Sequence, residues 1–268
     1  MSTTLTQKTG IDTTVPGIPL TRLTAVEVRK MVNTRSGRWL LIAIVALTAL
    51  VVGVMSFLAW NYDETFDLQD YLIADSMPFS VLLPVFGILT VTGEWGQRTS
   101  LTTFTLEPRR GRVVAAKLLA GTVLTIIGLA IAWLLAFGAH ALQNVMVTDS
   151  TSSWYVAPAF IVGWTLALLS SFFLGFAFGM LIPNSAAAIV LYFVFSFVLP
   201  GVFALLAYFV GWFERLLPWI DLGTAVDDLM TGAPESAEAW GQLATSSLLW
   251  IGLPLALGSW LLMRREVK

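Results

Sequence analysis

The clearest candidates for chemistry are a carboxylate and a group of arginines in one polar segment, residues 93–117. Glu94 comes first. Four cations follow it: Arg98, Arg109, Arg110 and Arg112. A carboxylate beside guanidinium groups forms ion pairs, which can fix the angle between two segments of chain. Such a pair at a protein surface contributes only about 0–1 kcal/mol to stability, so its expected role is positioning.

Catalytic and metal-binding patterns are missing from the sequence. It contains no cysteine and a single histidine, His140, which excludes thiolate sites, His-rich metal sites and cysteine nucleophiles. The nearest approach to a phosphate-binding loop starts at Gly111, but Ala116 replaces its second glycine and Leu118 its hydroxyl residue. No metalloprotease or serine-hydrolase motif is present. We therefore predict no catalytic residue, no metal site and no cofactor bound by this chain, which is not expected to be an enzyme.

The composition indicates a membrane protein. Apolar residues make up 57% of the 268 residues, charged residues only 12%, and the mean hydropathy is +0.80. A membrane helix needs about 20 mostly apolar residues. Six stretches qualify: 39–60, 76–92, 118–139, 156–182, 185–211 and 243–263. The sequence therefore predicts an all-α membrane protein with six transmembrane helices, in which residues 20–268 form one domain and residues 1–19 a flexible cytoplasmic tail.

Charge placement predicts the orientation of these spans. Apart from Arg215, all lysines and arginines fall on the side that holds both termini, whereas most acidic residues fall on the other side. The positive-inside rule then predicts a multi-pass plasma-membrane protein whose two termini both lie in the cytoplasm. Within the predicted bounds no span contains Asp, Glu, Lys or Arg, which disfavours ion-coupled transport. His140, at the outer end of span three, is expected to be an interfacial or lightly buried residue rather than a proton relay.

The loop between spans two and three carries a short amphipathic pattern. Leu101, Phe104 and Leu106 stand among hydroxyl residues, and Pro108 closes the segment. The pattern predicts a short helix under the membrane, followed by a basic re-entry into span three. Two interpretations remain open: an interfacial helix that only completes a hairpin, or a docking surface for a soluble partner.

At this loop the chain resembles ABC exporter permeases of the ABC-2 type, the type V exporter-like class. The resemblance is carried by Glu94, Thr99, a Thr/Leu-rich stretch, Pro108-Arg109, Arg112 and Lys117. Gly96-Gln97-Arg98 departs from the usual spacing of the Gly-Thr pair. The segment from Val26 to Trp39 resembles the family's amphipathic interfacial entry helix, and the ending Leu261–Val267 resembles its usual C-terminus.

The resemblance implies a half-transporter. A second permease subunit, in a homodimer or a heterodimer, and separate ABC ATPase subunits would complete it, with ATP and Mg used by the ATPase. The implied coupling-helix region that docks the ATPase comprises Glu94, Arg98, Thr99, Leu101, Phe104, Pro108, Arg109 and Arg112. By analogy spans one, two and five line the pathway, where the sparse polar residues are Ser80, Thr90 and Ser196. A hydrophobic or amphiphilic substrate moved outward is expected.

Other features have structural interpretations. Residues 212–242 are expected to form one or two short helices at the outer leaflet. Gly175 and Gly179 are expected to serve close packing within the chain. The acidic residues between Asp63 and Asp70 are expected to form a solvated loop rather than a cation site. Two other functions stay open: a non-transporting assembly, immunity or sensor protein, and, less favoured, a secondary transporter.

Overall fold

The regular structure of the described residues is entirely helical. A computed structural model of the protein describes residues 18–96, 105, 107, 109–147, 152–231, 234 and 236–264. Six of the described helices are long and apolar enough to cross a membrane. The predicted all-helical class is confirmed, as is the number of helices with the length and apolar composition of a membrane span.

The helices are named in chain order. A first helix, α1 (Leu20–Asn33), precedes the six long ones. The six long helices are α2 (Arg35–Tyr62), α3 (Leu68–Gly96), α4 (Arg110–Met146), α5 (Pro158–Leu181), α6 (Ser185–Phe209) and α9 (Ala237–Arg264). Between the last two lie α7 (Gly211–Ile220) and α8 (Leu222–Thr231), which confirms the prediction of short helices in residues 212–242.

Several long helices extend beyond the predicted spans. The α3 helix begins at Leu68, ahead of the predicted start at Ser76, and α4 begins at Arg110, ahead of Leu118. Hydropathy marks only the part of a helix that suits hydrocarbon, whereas a helix continues as long as its backbone groups are paired. The charge-free spans of the sequence analysis are therefore corrected, because Asp75 and Lys117 lie inside long helices and are buried.

The centre of the bundle is the contact between α3 and α5, where glycines bring two backbones together. A Cβ added to Gly175 would lie 2.0 Å from the carbonyl oxygen of Pro84, and one added to Gly87 would lie 2.4 Å from that of Phe172. At Gly179 the corresponding distance to the Ile88 carbonyl oxygen is 3.0 Å. The prediction that Gly175 and Gly179 serve packing within the chain is confirmed.

Two of the long helices contain a π-helical segment shortly before a proline. In α6 the segment is Val194–Val198, followed by Pro200, and in α9 it is Leu248–Gly252, followed by Pro254. A proline has no N–H and its ring crowds the preceding turn, so the helix must change its hydrogen bonding there. In both helices this change takes the form of a wider turn.

Candidate functional site: an ion cluster at the α1 end of the bundle

A sharp corner between α1 and α2 sets the position of α1. Thr34 separates the two helices, and its hydroxyl accepts a hydrogen bond from the Gly37 N–H at 3.3 Å, which caps the start of α2. Gly37 is needed at this corner, because a Cβ there would lie 1.9 Å from the carbonyl oxygen of Met31. The chain therefore folds back so that α1 lies against α2 and α4, with Glu27 and Met31 buried.

Four charged side chains from α1 and from the two helices α3 and α4 meet at one place. We call them the ion cluster: Glu27, Lys30, Glu94 and Lys117. Lys30 Nζ donates to Glu27 Oε1 at 2.7 Å and to Glu94 Oε1 at 2.8 Å. Lys117 Nζ donates to Glu27 Oε2 at 2.7 Å and lies 3.1 Å from Glu94 Oε1. Each carboxylate thus faces both ammonium groups, and the cluster links α1, α3 and α4.

Burial makes the pairs of Lys117 with Glu27 and Glu94 stronger than surface pairs, whereas the side chain of Lys30 is 38% exposed. The side chains of Glu27 and Lys117 are 6% and 9% exposed, and that of Glu94 is 13% exposed. Two positive and two negative charges offset one another, which a buried group of charges requires. Burial by itself lowers the pKa of Lys30, but its hydrogen bonds and charge interactions with Glu27 and Glu94 outweigh that effect and raise its pKa above the usual value.

A groove of about 570 Å³ opens beside the ion cluster. The groove is lined mainly by apolar residues, which include Val26, Leu40, Phe86, Leu89 and Val113. The four residues of the ion cluster line the same groove, together with Glu107. The groove therefore combines an apolar lining with the ion cluster, whose positive and negative charges offset one another.

Among the described residues, the ion-pair partners of Glu94 are Lys30 and Lys117, and Arg112 forms an ion pair with Glu107 at 3.1 Å. Arg98, the predicted partner nearest to Glu94 in sequence, lies outside the described residues. Arg110 donates to the Leu262 carbonyl oxygen at 2.6 Å, which ties the start of α4 to α9. Arg109 is exposed at the N-terminal end of α4.

Most of the predicted coupling-helix region cannot be compared with the structure. Five of its residues lie outside the described residues: Arg98, Thr99, Leu101, Phe104 and Pro108. The described parts nearest to it are the end of α3, which carries Glu94, and the start of α4. The ion cluster therefore lies where this segment joins α3 and α4.

The three residues predicted to line a pathway divide between two places. Ser80 and Ser196 line one cavity of about 180 Å³, which Ser170, Ser171 and Tyr192 also line. Thr90 instead lines the groove beside the ion cluster and donates to the carbonyl oxygen of Phe86 at 2.8 Å. The sequence analysis assigned all three residues to one pathway, but the fold brings only Ser80 and Ser196 to the same cavity.

Both π-helical segments reach the smaller cavity. Phe195 from α6 and Trp250 from α9 line it, and their ring centroids lie 4.4 Å apart. Trp250 also donates from Nε1 to the carbonyl oxygen of Ile220 at 2.7 Å, which holds the end of α7 beside the cavity. Because π-helical turns recur at functional sites, the cavity is a second candidate site.

Sequence reasoning did not assign Glu27, Lys30 or Lys117 a role in a site. A local signal existed in the Glu27–Lys30 spacing, which places two opposite charges on one helix face. Lys117 was named only as part of the family resemblance, and no local pattern links it to its partner Glu27, which lies 90 positions away.

The acidic segment after α2 has no features of a metal site. Among the described residues no group of three or more His, Cys, Asp or Glu side chains could hold a metal ion. Asp67 accepts from the Ser153 N–H at 2.6 Å, and Asp70 accepts from the Asp67 N–H at 2.9 Å. Asp70 therefore stabilises the turn at the start of α3, and Asp67 ties this turn to the segment between α4 and α5.

Comparison with protein-family models and with curated proteins gives no match for this chain. Its own residues therefore carry the evidence on function.

Proposed function

We propose that this chain is the permease subunit of an ATP-binding cassette exporter of the ABC-2 type. In this proposal two permease subunits pair in the plasma membrane with their termini in the cytoplasm, and separate ATPase subunits hydrolyse MgATP. The observation that carries the proposal is the ion cluster of Glu27, Lys30, Glu94 and Lys117 at the root of the loop between α3 and α4.

The ion cluster supports this proposal because it holds the base of the loop firmly to the neighbouring helices. A docking segment transmits the motion of a partner only if its base is held firmly to the spans that must move. Lys117 and Glu94 stand on the two helices that flank the loop, and Glu27 with Lys30 ties both to α1. A displacement of the loop would therefore move α1, α3 and α4 together.

The cavity at the π-helical segments supports an amphiphilic substrate. Its hydroxyl-bearing residues Ser80, Ser170 and Ser196 stand beside the rings of Phe195 and Trp250. At about 180 Å³ it is smaller than the sites of about 300–1,000 Å³ that enclose whole small ligands. It therefore suits one part of a larger molecule, such as the polar end of a lipid-like compound.

The proposal is tested by partnership with an ATPase. We expect the full chain, purified in mild detergent, to co-purify with a P-loop ATPase encoded beside it, and expect Phe104→Asp to reduce that ATPase's stimulation by the permease. In this proposal the loop docks into an apolar groove of the ATPase, and a charge at Phe104 would be unfavourable there. Tyr155→Asp is the matched control, because Tyr155 is 72% exposed in the segment joining α4 to α5, away from this loop.

Two results would count against the proposal. Unchanged ATPase stimulation in Phe104→Asp would remove the docking role of the loop. A stable complex with the ATPase that hydrolyses ATP but moves no amphiphile between membrane leaflets would favour a non-transporting assembly, immunity or sensor protein.

A second candidate function is a proton-coupled secondary transporter, and Asp75 is the observation that favours it. Intramembrane carboxylates are the usual coupling groups of such transporters. Asp75 lies in α3 and is 0% exposed, so the sequence-based argument against ion coupling no longer holds. Transport that stops with a protonophore at constant ATP would favour this candidate, and transport that stops only on ATP depletion would exclude it.

A further inference from the structure

Asp75 is a buried carboxyl group inside a long apolar helix. Its exposed fraction is 0%, and neither carboxyl oxygen has a hydrogen-bond partner among the described residues. It stands seven positions after Leu68, which is about 10 Å along the helix axis. The ion pairs of the described residues all involve α1, the end of α3, Glu107 or the start of α4, so none of them reaches Asp75.

An ionised carboxylate in this position lacks every form of compensation. Transfer of a charge from water to an apolar interior is strongly unfavourable unless a counter-ion or several hydrogen bonds replace the water. A carboxyl group without them takes up a proton and becomes neutral. The packed structure therefore accommodates Asp75 in its protonated form.

A cluster of polar side chains lies between this position and the end of the bundle opposite α1. Tyr71 lies one helical turn before Asp75, and its hydroxyl donates to Gln143 Oε1 at 3.1 Å. The Tyr71 ring lies 6.1 Å from that of His140, whose Nε2 is 3.1 Å from Ser152 Oγ. Tyr71, His140 and Gln143 are fully or almost fully buried, whereas Ser152 is half-buried in the segment between α4 and α5.

In the other direction the fully buried side chains of α3, as far as Ile88, are apolar. Phe79, Leu83 and Phe86 follow Asp75 and are each about as buried as it is. Two further hydroxyls near the core, Thr48 and Thr125, are buried without partners among the described residues. The polar route to Asp75 therefore leads from the end opposite α1.

We propose that Asp75 is a proton-binding site, loaded from the end of the bundle opposite α1 through the Tyr71–Gln143–His140 cluster. Loss of the proton places a bare charge in the core and loosens the packing of α3 against α2, α4 and α5. The site is independent of the proposed ATP-driven function, since it depends only on the burial of Asp75.

None of the titratable side chains on the helices around Asp75 is a hydrogen-bond partner of its carboxyl group. The α8 helix, whose Met230 Sδ lies 3.9 Å from Ser76 Oγ, carries Asp227 and Asp228, which are acidic and supply no positive charge. The α5 helix carries no titratable side chain. On α2 they are Arg35, Arg38 and Tyr62, at its two ends, and on α6 they are Tyr192 and Tyr208. On α4 they are Arg110, Arg112, Lys117 and His140, and on α3 itself they are Asp70, Tyr71 and Glu94. Imidazole is the side chain among them whose unperturbed pKa lies nearest neutral pH, so a His140 variant belongs in the experiment.

Carbodiimide labelling tests the proposal directly. Dicyclohexylcarbodiimide reacts with protonated carboxyl groups in apolar surroundings, and mass spectrometry locates the adduct. In the full chain in phosphatidylcholine vesicles we expect an adduct on Asp75 whose yield falls about tenfold per pH unit above its titration midpoint. Asp75→Asn should lose the adduct, and Asp63→Asn, a change at an exposed carboxyl group, should keep it. His140→Gln should keep the pH dependence.

A second measurement covers the case in which the carbodiimide cannot reach a protonated Asp75. If Asp75 is neutral in the packed bundle, Asp75→Asn should unfold at the same temperature as wild type at low pH and at a higher temperature at high pH. An Asp75 that is unlabelled at every pH and whose Asn variant shows no such pH-dependent difference would overturn the proposal. So would a pH dependence that disappears in His140→Gln.

Discussion

Lys117 Nζ lies 2.7 Å from Glu27 Oε2, and this pair fastens α1 to α4. Both side chains are largely buried, and Lys117 also lies 3.1 Å from Glu94 Oε1. Neither ammonium group of the ion cluster could be removed without leaving two buried carboxylates short of positive charge. The pair therefore makes α1 a fixed part of the bundle rather than an appended helix.

Removal of Lys117 should destabilise the protein. Lys117→Met keeps most of the volume but leaves Glu27 and Glu94 with Lys30 alone, and breaking a buried pair costs about 3–5 kcal/mol. Thermal unfolding in detergent would show a lower midpoint than wild type, whereas Arg109→Met, at an exposed cation nearby, should unfold as wild type does. The double variant Glu27→Gln/Lys117→Met should recover part of the loss. Strict additivity would contradict the pairing.

Glu94→Gln should affect both folding and function. The sequence alone predicted a surface pair of little value, but Glu94 is mostly buried and contacts two lysines, so we expect a loss of about 1–3 kcal/mol. If the proposed function holds, transport at matched expression should fall further than stability explains, because the junction at the loop is loosened. Transport equal to wild type would show that this junction does not transmit motion.

The charge of Lys30 gives a pH dependence. Its pKa is raised above 10.5 in the folded protein, so its contribution is complete below the unfolded value and is lost as the pH rises through the folded one. Wild type should therefore lose stability as the pH rises above about 10.5 by an amount that Lys30→Met lacks. Unfolding midpoints of both proteins across this range provide the measurement. Parallel curves would contradict the role of Lys30.

Gly175 should not tolerate a side chain. Gly175→Ala would place a Cβ 2.0 Å from the Pro84 carbonyl oxygen, so α3 and α5 must separate, at a cost of about 1–3 kcal/mol. Gly138→Ala is the matched control within α4, because its added Cβ has no atom within 4 Å. The control should gain up to about 1 kcal/mol from higher helix propensity. Equal unfolding midpoints for the two variants would refute the close contact.

Cysteine labelling would establish the orientation in the membrane. The native chain has no cysteine, so single cysteines give no background. We expect Tyr155→Cys to react with an impermeant thiol reagent added outside intact cells and Arg109→Cys to react only after lysis, because the positive-inside rule predicts that the basic residues face the cytoplasm. Both positions are exposed in the folded chain. The reverse pattern would invert the proposed topology.

Hydropathy along the chain determined the helical class, the number of long apolar helices and the two short helices between α6 and α9. These follow from sequence because a membrane span is a local property: about 20 successive side chains must each suit hydrocarbon. The close packing at Gly175 and Gly179 was also predictable, since small residues one turn apart form a groove wherever a neighbour lies.

The tertiary structure alone decided which charges meet. Glu94 is followed in sequence by arginines, yet lysines from α1 and α4 reach it, because lateral packing and helix rotation set side-chain partners. Asp75 stood one residue outside a predicted span and is buried because α3 extends to Leu68 and is covered by its neighbours. Hydropathy sums over a window and carries no information on which face of a helix its neighbours cover. That face determines whether a carboxylate meets water, a lysine or neither.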